Sequence, residues 1–261
     1  MTILNIFLTR SKQTTKYLKP VLVVSLILFA ATLVDWVLFF RYAPRLIGGA
    51  GTTLLLTLGG VVGGMVIAIP SALAVFFGGR VIRSSYFMYS YIIRGTPLLL
   101  QLFLVYYGSA AIRPQLEMIG LWGAFKDPFY AAVVVFIVNS SAYQIEIYKG
   151  AIFSVSKEQW SAAAALGLKR LQAFRLVVAP QAVRVALRPL GNEVILVFKA
   201  SAIASVITVY DLMGETRVAY SRSYDFEVYL YAAAMYLVVV EIIRRVWDFA
   251  DRRLSRSLQR E

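Results

Sequence analysis

The chain alternates between long apolar runs and short polar ones. Residues 21–40 hold one charge, Asp35, and residues 52–78 hold none. Residues 84–112 carry a single charge, Arg94, and residues 129–145 carry none. Residues 190–210 contain Glu193 and Lys199, and residues 228–243 contain Glu241. A helix needs about 20 mostly apolar residues to cross the hydrocarbon of a bilayer. The pattern therefore predicts six spanning helices, the last of them extending into its polar flanks. None of the runs alternates with a period of two, so strands of a barrel are not indicated. The predicted class is an all-α polytopic membrane protein.

One stretch breaks the pattern. From Glu158 to Ala182 the chain reads EQWSAAAALGLKRLQAFRLVVAPQA. It is too basic for lipid and too helix-prone for a plain connection. Leu171, Phe174, Val177 and Val178 recur at helical spacing, with Lys169, Arg170 and Arg175 on the wet side. Gly167 interrupts the run, and Ala179-Pro180 is expected to end or kink it. Two short helices joined by a glycine turn are predicted. They either meet another protein, which the small alanines would let approach closely, or rest on the lipid surface.

Charge supplies the orientation. With the N-terminus inside, segments 1–20, 79–83, 146–189 and 244–261 hold 19 of the 27 Lys and Arg, whereas 41–51, 113–128 and 211–227 hold 6. Basic residues concentrate in cytoplasmic loops, so both termini and the 158–182 stretch are expected in the cytoplasm. This also absorbs the net charge of +13 without invoking nucleic acid. No small-x-small cleavage site follows Phe40, where Arg41-Tyr42-Ala43-Pro44 comes next, so residues 21–42 are read as a retained extra helix rather than a signal peptide.

Composition removes several chemistries. The chain has no histidine and no cysteine, which argues against the commonest general base, thiolate nucleophiles and thiolate metal sites. It has no G-x-x-x-x-G-K-[ST], so it lacks the usual means of binding ATP. Acids are scattered, which disfavours a membrane enzyme.

The stretch AAAALGLKRLQAFRLVVAPQAVR resembles the coupling loop of binding-protein-dependent ABC importer permeases. In that loop E-A-A is followed after three residues by glycine and later by L-P. The matching positions here are Ser161, Ala162, Ala163, Gly167 and Ala179-Pro180, so serine replaces the glutamate and alanine the leucine. YIIRGTPLLLQLFLVYYG (91–108), NSSAYQIEIYKGAI (139–152) and GNEVILVFKASAIASVITVYDL (191–212) resemble the polar amino acid permeases, with the histidine, lysine-arginine-ornithine and opine permeases nearest. The resemblance implies a type I ABC importer transmembrane fold over residues 45–250: a five-helix core plus one N-terminal helix, with a cytoplasmic coupling helix in a loop at about 153–187. Residues 1–20 and 251–261 would be cytoplasmic ends.

The resemblance further implies a second homologous permease subunit, two ATPase subunits that bind ATP and Mg, and a periplasmic or lipid-anchored binding protein. The cargo would be a polar or cationic amino acid or an opine, carried across the inner membrane of a bacterium. No cofactor, metal or nucleic acid is expected on this chain. Ser161, Ala162, Ala163, Leu166, Gly167, Lys169 and Arg170 would face the ATPase. An ion-gradient carrier is the alternative. It would show repeated halves with paired half-helices, which the sequence lacks, and would leave the coupling stretch unexplained.

Polar groups inside the spans are candidates for the path, because ionisable groups there tend to face a cavity or one another. Arg94 precedes Gly95-Thr96-Pro97, where an interrupted helix is expected to free backbone groups at mid-depth. Arg94 either meets a substrate carboxylate or pairs with an acid or a carbonyl. Asn139 and Tyr143, and Ser140 and Gln144, share helix faces beside Ser141. They either bind a zwitterion or hold helices together. Glu193 and Lys199 lie too far around the helix to pair, so Lys199 needs a partner elsewhere. Asp35, Glu146 and Glu241 are expected to reach water near span ends.

Overall fold

The computed structural model describes residues 35–257. Each regular element among them is a helix. The expected basic segment 1–20 and residues 21–34 of the expected extra helix 21–42 lie outside the described residues, and residues 36–42 belong to the first described helix.

Helix α1, Trp36–Phe77, is one unbroken helix of 42 residues. The Asp35 carboxylate caps its start by accepting from the N–H groups of Val37 and Leu38 at 2.9 and 3.0 Å. The expected outer turn at residues 41–51 is therefore helical, a correction with a physical cause. Pro44 removes one rung of the ladder. Leu38, Tyr42, Leu46 and Ala50, however, recur on one face and are buried against Leu212, Ala219, Val228 and Tyr231. Burial of that stripe carries the helix through the proline.

Helices α2 (Arg80–Gly95) and α3 (Leu98–Ala111) form the next pair, bent by 98° at the expected Gly95-Thr96-Pro97 break. Short helices α4 (Arg113–Met118) and α5 (Trp122–Phe125) occupy the polar segment that follows. Helix α6, Pro128–Phe153, starts on Asp127, whose side chain accepts from the Phe129 N–H at 2.8 Å.

Helix α6 packs along α1 at close range. A Cβ on Gly60 would lie 2.7 Å from Phe136 Cβ, and one on Gly64 2.9 Å from Gln144 Nε2. Small residues let helix backbones approach where lipid offers no hydrophobic drive for association.

Two short helices follow as expected, α7 (Lys157–Ala165) and α8 (Arg170–Ala173). The second does not end at Ala179-Pro180. A π-helical turn, Phe174–Val178, leads directly into α9, Ala179–Ala200, and the Ala179 N–H reaches back to the Phe174 carbonyl. The widened turn places Pro180 in the first turn of α9, where its missing N–H is tolerated. A 3-10 helix, Ser201–Ile207, ends at Thr208 with φ 66°. Helix α10 (Leu212–Ser223) and helix α11 (Glu227–Ser257) complete the described chain.

By length and apolarity, α1, α6 and the continuous run Arg170–Ile207 are long enough to cross a membrane, and the bent pair α2–α3 is apolar and long enough only when taken together, as a broken span or a re-entrant loop. These cover the second to fifth expected spans. The sixth falls within α11, whose polar end begins inside it: Arg244 and Arg245 already pair with Glu241.

Candidate functional site

The coupling segment has a built geometry. Gly167 follows the last turn of α7 with φ +75°. The Leu168 N–H bonds the Ala163 carbonyl at 3.1 Å, and the Gly167 N–H bonds the Ala164 carbonyl at 2.9 Å. This is the Schellman pattern, in which a left-handed glycine satisfies the last free carbonyls of a helix. The Lys169 N–H then donates to Gln172 Oε1 at 2.9 Å and starts α8. At the other end of α7, its own N-terminal backbone N–H and the Ser156 hydroxyl hold the Glu158 carboxyl below the usual carboxylate range.

The segment is anchored to the bundle by aromatic contacts. Phe76 stacks on Trp160 with centroids 5.7 Å apart, and Phe77 meets Phe174 edge-on at 5.3 Å. Ser161, Ala162, Leu166, Gly167 and Lys169 are exposed. Leu166 is 80% exposed, a large apolar side chain with nothing of its own chain over it. Of the other expected contact residues, Ala163 is buried, and Arg170 is exposed, with its guanidinium over the rings of Phe76 and Phe77 at 5.7 and 5.4 Å. Both serve the anchorage of α7 and α8, because alanine allows close packing and a guanidinium stacks on aromatic faces.

The second feature is a cavity of about 690 Å³ between the end of α1, α2 and the end of α6. Arg94, Arg83, Lys149 and Glu146 supply its charges, and Tyr86 and Tyr143 its rings. Arg94 sits in the last turn of α2. Its Nη1 lies 3.7 Å from Glu146 Oε1, and its guanidinium lies over the Tyr143 ring at 5.2 Å. Lys149 Nζ reaches the same carboxylate oxygen at 2.7 Å, and the Tyr86 hydroxyl donates to it. Glu146, expected merely to reach water, is the hub of this cluster. Tyr86 and Arg94 of α2 and the last turns of α6 meet only through tertiary packing, so helical spacing within either segment gives no sign of it.

The break between α2 and α3 is closed by a residue that sequence reasoning did not single out. Gln101 Nε2 lies 2.7 Å from the Ile93 carbonyl, 3.2 Å from the Thr96 carbonyl and 2.9 Å from Thr96 Oγ1. Gln101 Oε1 accepts from Asn139 Nδ2 at 3.1 Å. The freed backbone is thus satisfied by protein, as broken helices in lipid require. A carboxamide one turn after a proline in an apolar span was the available signal. Gln101→Leu should lower the thermal midpoint of the detergent-solubilised protein, by about 1–3 kcal/mol of stability for the orphaned acceptors. An unchanged midpoint would remove this role.

The α6 polar cluster divides. Ser140 Oγ donates to Glu193 Oε1 at 2.9 Å, and Gln144 Nε2 bonds Ser140 Oγ and the Val61 carbonyl at 3.0 and 2.9 Å. Ser141 Oγ bonds the Val138 carbonyl, and the Tyr89 hydroxyl bridges to both. Ser140, Ser141 and Gln144 are buried, so they join helices α1, α2, α6 and α9. Tyr143 faces the cavity and Asn139 supports the break. Thr96 Oγ1 donates to the Ile92 carbonyl at 2.8 Å. Lys199 is exposed, and among the described residues no ion pair includes it.

Comparison with known proteins agrees with this architecture. The family described as binding-protein-dependent transport system inner membrane component matches residues 60–256. The chain is 39% identical to the nopaline transport system permease protein NocM of Agrobacterium fabrum, over 83% of this chain and 90% of that protein. It is 33% identical to the arginine ABC transporter permease protein ArtM of Haemophilus influenzae, over 78% and 90%. It is 33% identical to the glutamine transport system permease protein GlnP of Escherichia coli, over 86% and 98%. Among solved structures, an amino acid ABC transporter with histidines superposes with a TM-score of 0.74 at 36% identity, covering 84% of this chain and 99% of that one. The MetNI methionine ABC transporter, at 18% identity and a TM-score of 0.67, shares the fold.

The chain belongs to the binding-protein-dependent transport system inner membrane components, and it is a permease subunit of an ABC importer. The reading as an ion-gradient carrier falls with that membership.

Proposed function

We propose that this subunit carries a polar or cationic amino acid, or an opine, into the cytoplasm, with Arg94 and the cavity beside it lining the path. The observation that carries this reading is the charge of the cavity. Arg83, Arg94 and Lys149 line the cavity together with one carboxylate, Glu146, which Arg94 and Lys149 contact. That surplus of cations attracts a substrate carboxylate, and the planar guanidinium of Arg94 suits it in two-pronged fashion. Glu146 holds Arg94 while the path is empty, and an incoming carboxylate competes for it. Tyr143 offers the substrate a face. Lys199, exposed on α9 outside this cavity, adds a further cation to the path. Asn139, Thr96, Ser140, Ser141 and Gln144 shape the path by holding its helices.

The energy comes from outside this chain. Two ATPase subunits bind ATP and Mg and dock on α7, with Ser161, Ala162, Leu166 and Lys169 at the contact. A second, homologous permease completes the channel, and a periplasmic or lipid-anchored binding protein delivers the cargo. The subunit itself does no chemistry. It sits in the inner membrane with both ends in the cytoplasm. In the protein, which has no native cysteine, Gln159→Cys should react with an impermeant maleimide only from the cytoplasmic side and Gln115→Cys only from outside. The reverse pattern would invert the topology.

Co-reconstitution with the ATPase, partner permease and binding protein tests the function. Uptake of L-arginine, L-glutamine or nopaline should require both ATP and the binding protein. Uptake driven by a proton or sodium gradient without ATP would refute it.

A further inference from the structure

A second cavity, of about 520 Å³, lies between the middle of α9, residues 188–195, and residues 244–252 of α11. It belongs neither to the Arg94 cavity nor to the coupling surface. Its floor is Trp247, whose indole N–H donates to the Leu187 carbonyl at 2.7 Å. The indole lies against Gly191 so closely that a Cβ there would be 2.3 Å from the ring. The two helices are thereby locked together beneath an open, polar mouth.

The charges of this cavity are nearly balanced. Arg188 Nε on α9 lies 3.3 Å from Asp251 Oδ2 on α11, and Arg188 is mostly exposed while Asp251 is largely covered. Arg244 is already held by Glu241, at 2.8 Å, and by Asp248, at 3.2 Å. Arg252 and Asn192 complete the polar rim. A rim that offers guanidinium and carboxylate side by side complements a zwitterion at both of its ends: carboxylate to arginine, ammonium to aspartate.

The cavity also opens on a particular face. Arg188, Asn192, Ile195 and Lys199 follow one another at spacings of four, three and four, which places them on one side of α9. A lysine within an apolar span faces water or another subunit rather than lipid. The cavity runs from about 16 Å to about 6 Å before Lys199 on that side, along the middle of α9 and beside residues 244–252 of α11, which follow the apolar run 228–243.

We propose that this cavity is a product-side site that binds an amino-acid zwitterion from the cytoplasm, its carboxylate on Arg188 and Arg252 and its ammonium on Asp251. The site rests on the amino acid transport reading above. Occupied, it slows further import, because product held at the mouth opposes release of the next molecule.

The test uses the permease complex with its ATPase, without the binding protein, in nanodiscs. Labelled L-arginine and L-glutamine should bind saturably. Arg188→Ala/Arg252→Ala should weaken that binding tenfold or more, and the shape-conserving Asp251→Asn several-fold. Inorganic phosphate at equal concentration should not displace them. In proteoliposomes, the ratio of initial uptake into amino-acid-loaded vesicles to uptake into empty ones should be well below one, and should rise toward one in Asp251→Asn. Binding unchanged by these substitutions, or lost instead with Arg94→Ala, would overturn the product site and leave the transport reading standing. Displacement by phosphate as effective as by amino acid would overturn it in favour of an anion site. Failure of either amino acid to bind overturns it too, and ATP-driven uptake of the same label by the complete transporter then shows whether the transport reading has failed as well.

Discussion

Gly167→Val is expected to uncouple ATP hydrolysis from uptake while leaving the subunit in the membrane. Residue 167 has φ +75° and its N–H closes the end of α7 on the Ala164 carbonyl. A β-branched residue is a poor occupant of that region, with a cost of roughly 1–2 kcal/mol or more for the left-handed conformation. No neighbouring atom lies within 4 Å of the added Cβ, so the effect comes from the backbone and not from a clash. The chain relieves the strain by turning to negative φ, which re-aims α7 relative to α8. Apolar spans far from the turn are untouched, so insertion proceeds. Asparagine, which visits the left-handed region more readily, should retain more coupling than alanine, and alanine more than valine. The measurements are uptake per ATP hydrolysed in proteoliposomes and the yield of membrane-extracted complex. Equal coupling in glycine and valine forms would remove the turn from the mechanism.

Arg94→Ala is expected to lower uptake by tenfold or more with the complex intact. The ion pair to Glu146 is 3.7 Å long and its arginine side chain is 40% exposed, so its loss costs little stability. Glu146 keeps Lys149 and the Tyr86 hydroxyl when Arg94 is removed. Lysine at position 94 should restore transport in part, since an ammonium lacks the planar two-donor match to a carboxylate. An analogue with an amidated carboxyl group should be less sensitive to the substitution than the free amino acid. A complex that no longer assembles would make Arg94 a structural residue, and full transport by Arg94→Ala would remove it from the path.

Much of this was legible because it depends on local chemistry. Gly95-Thr96-Pro97 combines two helix-weakening residues within three positions, and Gly167 stands between an alanine run and a basic segment, so both breaks could be read locally. The four-residue spacing of Ser140 and Gln144 likewise gave a true hydrogen bond. What was not legible depends on partners distant in sequence. Residues 41–51 read as a polar connection between two spans, yet the stripe from Leu38 to Ala50 finds α10 and α11, and its burial outweighs the rung lost at Pro44. Glu146 reads as a solvated acid until α2 lays Arg94 and Tyr86 against it. The stacking of Arg170 on two aromatic rings depends on the end of α1, which no spacing within its own segment shows. Gln101 lay in a stretch whose apolar neighbours hid it, and its value appears only when the broken carbonyls are located.

The unbroken course of α1 has a mechanical consequence. At about 1.5 Å per residue its 42 residues make a strut of roughly 63 Å, about twice the thickness of the hydrocarbon. Its last residues, Phe76 and Phe77, bear on the aromatic seat of the coupling segment, and its first turns are clamped to α10 and α11. No loop intervenes to absorb displacement between those ends; compliance is confined to Pro44 and Pro70, where a backbone rung is missing. A thrust delivered at one end of the subunit is therefore felt at the other within a single piece of secondary structure.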